Sequence, residues 1–184
     1  MTDKKVVDDP NLVAEMEKQI IILQSIIENM GEKRGKIFIE WMKNSNNYLK
    51  WEETFDPSYM RAYKRGEVVL AHFGFNVGAE YGGMHYAVVI RDSSKKNPNL
   101  NVVPLSSLED GETESDIHRD RVFLGVIKGM NGLQSVALPD QTRPVSKLRV
   151  LKPKKTKDGV FKVEPAQMDL IDGKIRRLFT KKTD

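Results

Sequence analysis

The chain has 184 residues, with 30 basic and 26 acidic side chains, a formal charge of +4 and no cysteine. A chain of this size holds one ordinary domain plus a helical extension and buries a real core; without cysteine it has neither a disulfide framework nor a thiolate metal site. No stretch approaches the ~20 apolar residues of a membrane-spanning helix, and the opening MTDKKVVDDP has no apolar core behind its lysines, so the expectation is a cytoplasmic protein with no signal peptide and no membrane partner.

Asp9-Pro10 starts a helix, with Pro10 in the first turn and Glu15 and Glu17 close behind. Val13, Met16, Ile20, Leu23, Ile27 and Met30 then recur at alternating spacings of three and four, and Ile21, Ile22 and Ile26 widen the seam. Gly31 is a natural stop. The seam is shorter than the about three to four heptads of an autonomous coiled coil. It packs on its own protein or a dimer mate, or else it docks a separate partner. A second helix, Glu32 to about Leu49, sets Ile37, Phe38, Trp41 and Met42 on one side, and Asn44-Ser45-Asn46-Asn47 weakens its end. The two form an αα-hairpin around Gly31. WEETFDPSYM follows as a linker with a turn at Asp56-Pro57, which divides the chain into a helical extension, 1–60, and a β-rich domain, 61–184.

In that domain, short β-branched runs near 66–73, 85–92, 101–106, 121–127 and 134–139 are separated by turn residues. The pattern predicts a small, strongly bent antiparallel sheet or barrel, and an α+β fold class. Asn97-Pro98-Asn99 turns between the second and third strands. The acidic loop Leu108 to Asp120 is expected to be mobile. Gly129-Met130-Asn131-Gly132 reads as a hairpin turn, with Asn131-Gly132 favouring positive φ. Residues 140–150 form a further short element, and Lys157-Asp158-Gly159 is another turn. A last helix, from about Pro165 to Phe179, aligns Met168, Ile171, Ile175, Leu178 and Phe179, although Gly173 within it costs about 1 kcal/mol. Arg143, Lys147, Arg149, Lys152, Lys154, Lys155 and Lys157 crowd one stretch. Such a cluster tracks a phosphate backbone or is simply solvated.

The order of motifs is more specific than any one of them. Arg65-Gly66-Glu67-Val68 opens the first strand, and Gly78-Ala79-Glu80-Tyr81-Gly82-Gly83 closes the following loop. Next come Tyr86-Ala87-Val88-Val89-Ile90, Val103-Pro104-Leu105-Ser106 and Ser135-Val136-Ala137-Leu138-Pro139-Asp140-Gln141-Thr142-Arg143. Over roughly residues 64 to 180 this series resembles the MazF/PemK toxins of type II toxin–antitoxin systems. The resemblance implies an SH3-like barrel or bent sheet with a C-terminal helix. It also implies an endoribonuclease that cuts single-stranded RNA, such as mRNA, at short motifs. The 2′-hydroxyl attacks, no metal or other cofactor takes part, and cyclic phosphate and 5′-hydroxyl ends remain. A homodimer and a cognate antitoxin protein are the implied partners.

The same resemblance proposes the site. His85 stands where the pattern usually has an arginine that contacts the scissile phosphate, and its titration near neutrality suits a base or an acid. The alternative is a strand histidine bonded to backbone. Ser106 matches the family's threonine and donates to a phosphate oxygen, or else caps Ser107. Arg143 supplies fixed charge, or else anchors loop carbonyls, while Gln141 supports. Gly82 and Gly83 let backbone approach a phosphate. Glu80 orients His85 or a lysine, or is solvated. Tyr81, Phe75 and Tyr86 stack on splayed bases or pack in the core, and Lys147 belongs to the basic stretch. His72 and His118 have no metal-ligand spacing with His85, so no metal site is expected. No Walker loop, G-x-S-x-G or G-x-G-x-x-G follows a strand. Two rival readings are a non-catalytic binding module for nucleic acid or protein and a gyrase-inhibiting toxin on the same fold. The N-terminal helices act as a dimer brace or as a cover over the groove.

Overall fold

The computed structural model describes residues 4–151 and 160–180. Lys152, Lys154, Lys155, Lys157 and the turn expected at 157–159 lie outside the described residues. The chain divides into two compact units, Met1–Asn46 and Asn47–Asp184.

In the first unit, α1 spans Pro10–Glu28. It begins there because the Asp9 carboxylate accepts from the amides of Asn11 and Leu12, at 2.9 and 3.3 Å. It ends before the expected stop at Gly31, because Asn29 donates both its amide N–H and its side chain to the carbonyl of Ser25. Along the seam Val13, Leu23, Ile27 and Met30 are partly covered, while Met16, Ile20, Ile21, Ile22 and Ile26 are exposed. The second helix, α2, spans Glu32–Glu52 and runs straight through the asparagine-rich stretch. Asn44 does not break it, because its side-chain amide donates to the Glu40 carbonyl at 2.8 Å and so stays inside the helix. Phe38, Trp41 and Met42 are partly covered and Ile37 is exposed. After α2, Asp56 caps a short 3-10 turn, Pro57–Tyr59.

The second unit is built on an antiparallel sheet: β1 Val68–Gly74, β2 Gly83–Val89, β3 Asn99–Ser107, β4 Val122–Val126, β5 Gln134–Ala137, β6 Arg143–Ser146 and β7 Val150–Leu151. Its strand order is β4-β5-β3-β2-β1-β7, with β6 also on β3. Strand β3 bends the sheet. One edge pairs with β2, from Ala87↔Pro104 to Val89↔Val102. The other edge pairs first with β6, from Asn99↔Ser146 to Val102↔Arg143, and then with β5, from Leu105↔Ala137 to Ser107↔Ser135. Pro104, which has no N–H to give, falls at the step between those two partners. The expected element at 140–150 is therefore three pieces, namely β6 and the two 3-10 turns Pro139–Gln141 and Lys147–Arg149 that flank it.

Neighbouring residues of each strand bury on opposite faces. Val68, Val88, Val103 and Leu105 join Leu124, Ile127, Met168 and Ile171 in one core. Val69, Ala71, Phe73, Ala87, Val89 and Val102 join Tyr63, Leu100 and Val145 in the other. With both faces covered, the strands read as nearly continuous apolar runs rather than alternating ones. The last helix, α3 Pro165–Phe179, covers the first face with Met168 and Ile171, while Phe179 points to solvent. Strand β2 ends before 92 because Asp92 turns away to accept from the Arg65 amide and the Lys64 ammonium. At the β4–β5 turn only the glycines of the expected motif take positive φ, Gly129 at 82° and Gly132 at 76°. The acidic loop carries a 3-10 turn at Glu114–Asp116, where Asp116 accepts from the Thr113 amide. Among the described residues no helix is long and apolar enough to cross a membrane.

Candidate active site

The loop between β1 and β2 is pinched at its neck. A Cβ on Gly82 would lie 2.7 Å from the Gly74 carbonyl oxygen, so the two chain segments meet only because residue 82 is glycine. Gly83, at φ +84°, turns the chain into β2. Asn76 ties the loop from inside by donating to the carbonyls of Phe73 and Tyr81, at 3.3 and 2.8 Å. From outside, Gln141 accepts the Tyr81 amide at 3.1 Å.

These restraints turn the Tyr81 ring inward. It meets Phe73 edge-on, with centroids 6.0 Å apart, and packs on the second core. Its hydroxyl donates to the Leu105 carbonyl at 3.0 Å and lies 3.0 Å from His85 Nδ1. The His85 ring rests tilted on the tyrosine, with centroids 4.5 Å apart. The expected base-stacking role for Tyr81 gives way to one beneath His85. His85 itself is half-buried, and burial pulls its pKa below the ordinary 6.5, partly opposed by hydrogen bonding to the Gly82 backbone. Burial raises the Tyr81 phenol, against the opposing influence of the Ser106 hydroxyl and the Arg121 guanidinium.

His85 and Ser106 line one cleft of about 230 Å³, with Met84, Tyr86, Asn131 and Leu133 among its walls. Ser106 Oγ donates to the Ser107 carbonyl at 3.2 Å, a long bond that a better acceptor would displace. Met84 and Leu133 are exposed apolar rims beside these polar groups. An apolar wall over a polar floor suits a base above a phosphate.

The other expected residues stand at different depths. Arg143 is folded onto its own turn, with Nη2 donating to Gln141 Oε1 at 3.0 Å and Cζ 5.8 Å from the Phe73 ring centre. It reaches Tyr81, and through it His85, by way of both Gln141 and the Phe73 ring. Glu80 is exposed, and it is Tyr81 rather than Glu80 that holds the imidazole. Lys147 does not face the cleft at all. It is fully buried, donates to the Ser94 carbonyl at 2.6 Å and lies over the Tyr63 ring. A phosphate cannot reach it, so it leaves the RNA-binding set.

The remaining histidines are separate. His72 is buried, with Nδ1 3.2 Å from the Tyr48 hydroxyl, and exposed His118 accepts from the Asp120 amide. Among the described residues no group of three or more His, Cys, Asp or Glu side chains could hold a metal ion. Two contributors were not visible beforehand, the Asn76 tie and the Arg121 charge near the phenol. The only sequence signal for the first was an asparagine inside a loop closed by glycines.

Residues 64–179 match the profile of a family described as PemK-like, MazF-like toxin of type II toxin-antitoxin system. Among solved structures, the chain is similar to MazF of Deinococcus radiodurans, with 19% identity, a TM-score of 0.48, and coverage of 64% of this chain and 96% of that one. A MazE–MazF structure from the same organism gives 18% identity and a TM-score of 0.43 over 63% and 94% of the two chains. An endoribonuclease in complex with its cognate antitoxin from a mycobacterial species gives 16% and 0.39 over 62% and 92%. No curated protein matches. Helices α1 and α2 both precede the matched span.

Proposed function

Because the chain belongs to the PemK-like, MazF-like toxins of type II toxin–antitoxin systems, we propose that it is an endoribonuclease cutting single-stranded RNA at short motifs. The observation that carries this reading is the cleft shared by His85 and Ser106. In the reaction, the 2′-oxygen attacks the adjacent phosphorus and the bond to the 5′-oxygen breaks. A 2′,3′-cyclic phosphate and a 5′-hydroxyl result. One proton leaves the 2′-hydroxyl and one reaches the departing 5′-oxygen. His85 is the proton-transfer group, and the burial that lowers its pKa favours the neutral ring that can accept a proton. Ser106 donates to a non-bridging oxygen as charge accumulates there. Gln141 and Arg143 hold the loop that carries Tyr81, Gly82 and Gly83, and Tyr86 offers a ring at the cleft wall.

The fixed charge that an arginine at position 85 would bring is absent, and Arg121 contributes positive potential from beside Tyr81. No metal enters this scheme. The partners of the reading are single-stranded RNA, a second copy of the chain and a cognate antitoxin. Helices 1–60 form an extension to a catalytic domain, 61–184.

The test is cleavage of a long RNA by purified protein in excess EDTA, with His85→Ala beside it. Discrete fragments with 5′-hydroxyl ends are expected, reduced by about 10²- to 10⁴-fold in the variant. RNA that is bound but uncut, by a folded wild-type protein, would instead make this a binding module in which the histidine has ended catalysis.

A further inference from the structure

Tyr81 and His85 flank the double glycine, and their contact has a chemical consequence. The tyrosine hydroxyl has one proton and, besides the Ser106 hydroxyl, which can donate to it, two neighbours that could accept that proton, the Leu105 carbonyl and His85 Nδ1, each at 3.0 Å. A carbonyl can only accept. A neutral imidazole can carry its proton on either nitrogen and so can adapt to its neighbour. The Leu105 carbonyl, the phenol and Nδ1 are all satisfied when the hydroxyl donates to Leu105 and Nδ1–H donates to the hydroxyl oxygen.

We infer that Tyr81 is a positioning residue that fixes the Nδ1–H tautomer of His85, leaving Nε2 as the nitrogen that takes the 2′-hydroxyl proton. Two further features fit. Nε2 lies against Gly83, where a Cβ would stand 3.2 Å away, so the absence of a side chain keeps that nitrogen uncrowded. Hydrogen bonding to the Gly82 backbone favours the charged ring and so stabilises the imidazolium once the proton has arrived. The hydroxyl is itself held in place, since Gln141 grips the Tyr81 amide and Asn76 its carbonyl. The role of Nε2 as base rests on the endoribonuclease reading, but the tautomer does not.

The experiment is long-range ¹H–¹⁵N correlation of the imidazoles in full-length protein at a pH where His85 is neutral, with wild type, Tyr81→Phe and His85→Ala compared for assignment. Wild type is expected to show a protonated Nδ1 and an unprotonated Nε2, and Tyr81→Phe a shift towards the Nε2–H form. In cleavage assays Tyr81→Phe is expected to lose about 10- to 100-fold in kcat with little change in KM. An Nε2–H tautomer in wild type overturns the inference without recourse to any variant, even if Tyr81→Phe fails to fold. An unchanged tautomer in folded Tyr81→Phe overturns it as well. If wild type cleaves no RNA but shows Nδ1–H, the ribonuclease reading fails and the positioning stands.

Discussion

Position 85 carries an imidazole, so any charge it brings to the cleft titrates, where an arginine's would be fixed. Burial lowers the pKa of His85 from 6.5, so the neutral form that the proposed proton abstraction requires persists below the ordinary histidine range. The sign follows directly. In kcat/KM the acid limb falls as pH drops through the lowered value, below 6.5, and not through 6.5 itself. Folding has the same direction, since the unfolded state binds more protons in that window and stability is lost as pH falls through it. His85→Arg removes the titration, because arginine stays charged throughout. The expected result is an acid limb in wild type that is absent from His85→Arg, read from pH profiles of RNA cleavage. A limb in both proteins would assign the titration to another group.

At the scale of elements, the parts visible in sequence were those set by neighbours along the chain. The β-branched runs became strands, Asp9 capped α1, and the double glycine closed a loop because φ and close approach demand it. Contacts between distant residues were not visible. The seat of the Tyr81 hydroxyl depends on Leu105, twenty-four residues later, and the burial of Lys147 on Ser94, fifty-three residues earlier. Composition also does not reveal that the Asn44 side chain finds the Glu40 carbonyl and lets α2 run on through the asparagines. The neck gives a direct test. Gly82→Ala would place its Cβ 2.7 Å from the Gly74 carbonyl, a backbone atom that cannot swing aside. The expected cost is about 1–3 kcal/mol in denaturant unfolding. Cleavage should fall further than stability alone explains, because Tyr81 loses its seat under His85.

At the scale of the molecule, the two units differ in how they bury apolar surface. Both cores of the second unit draw only on residues from Tyr63 onward, whereas α1 has no buried residue. Where the chain is cut therefore matters. Removing residues 1–60 takes away Tyr48, whose hydroxyl lies 3.2 Å from the Nδ1 of buried His72, and Trp51, which meets Tyr48 edge-on. Removing residues 1–46 spares both. The shorter truncation is expected to leave a cooperatively folding β unit with an unfolding midpoint close to that of the full chain, whereas the longer one is expected to melt several degrees lower. Circular dichroism melts of the two truncations make the comparison, and equal midpoints would mean that Tyr48 adds nothing to the sheet. The same 47–184 protein also reads the role of the helices. Faster RNA cleavage would mark them as a cover over the groove. Unchanged cleavage with weaker self-association in sedimentation would mark them as a brace between copies.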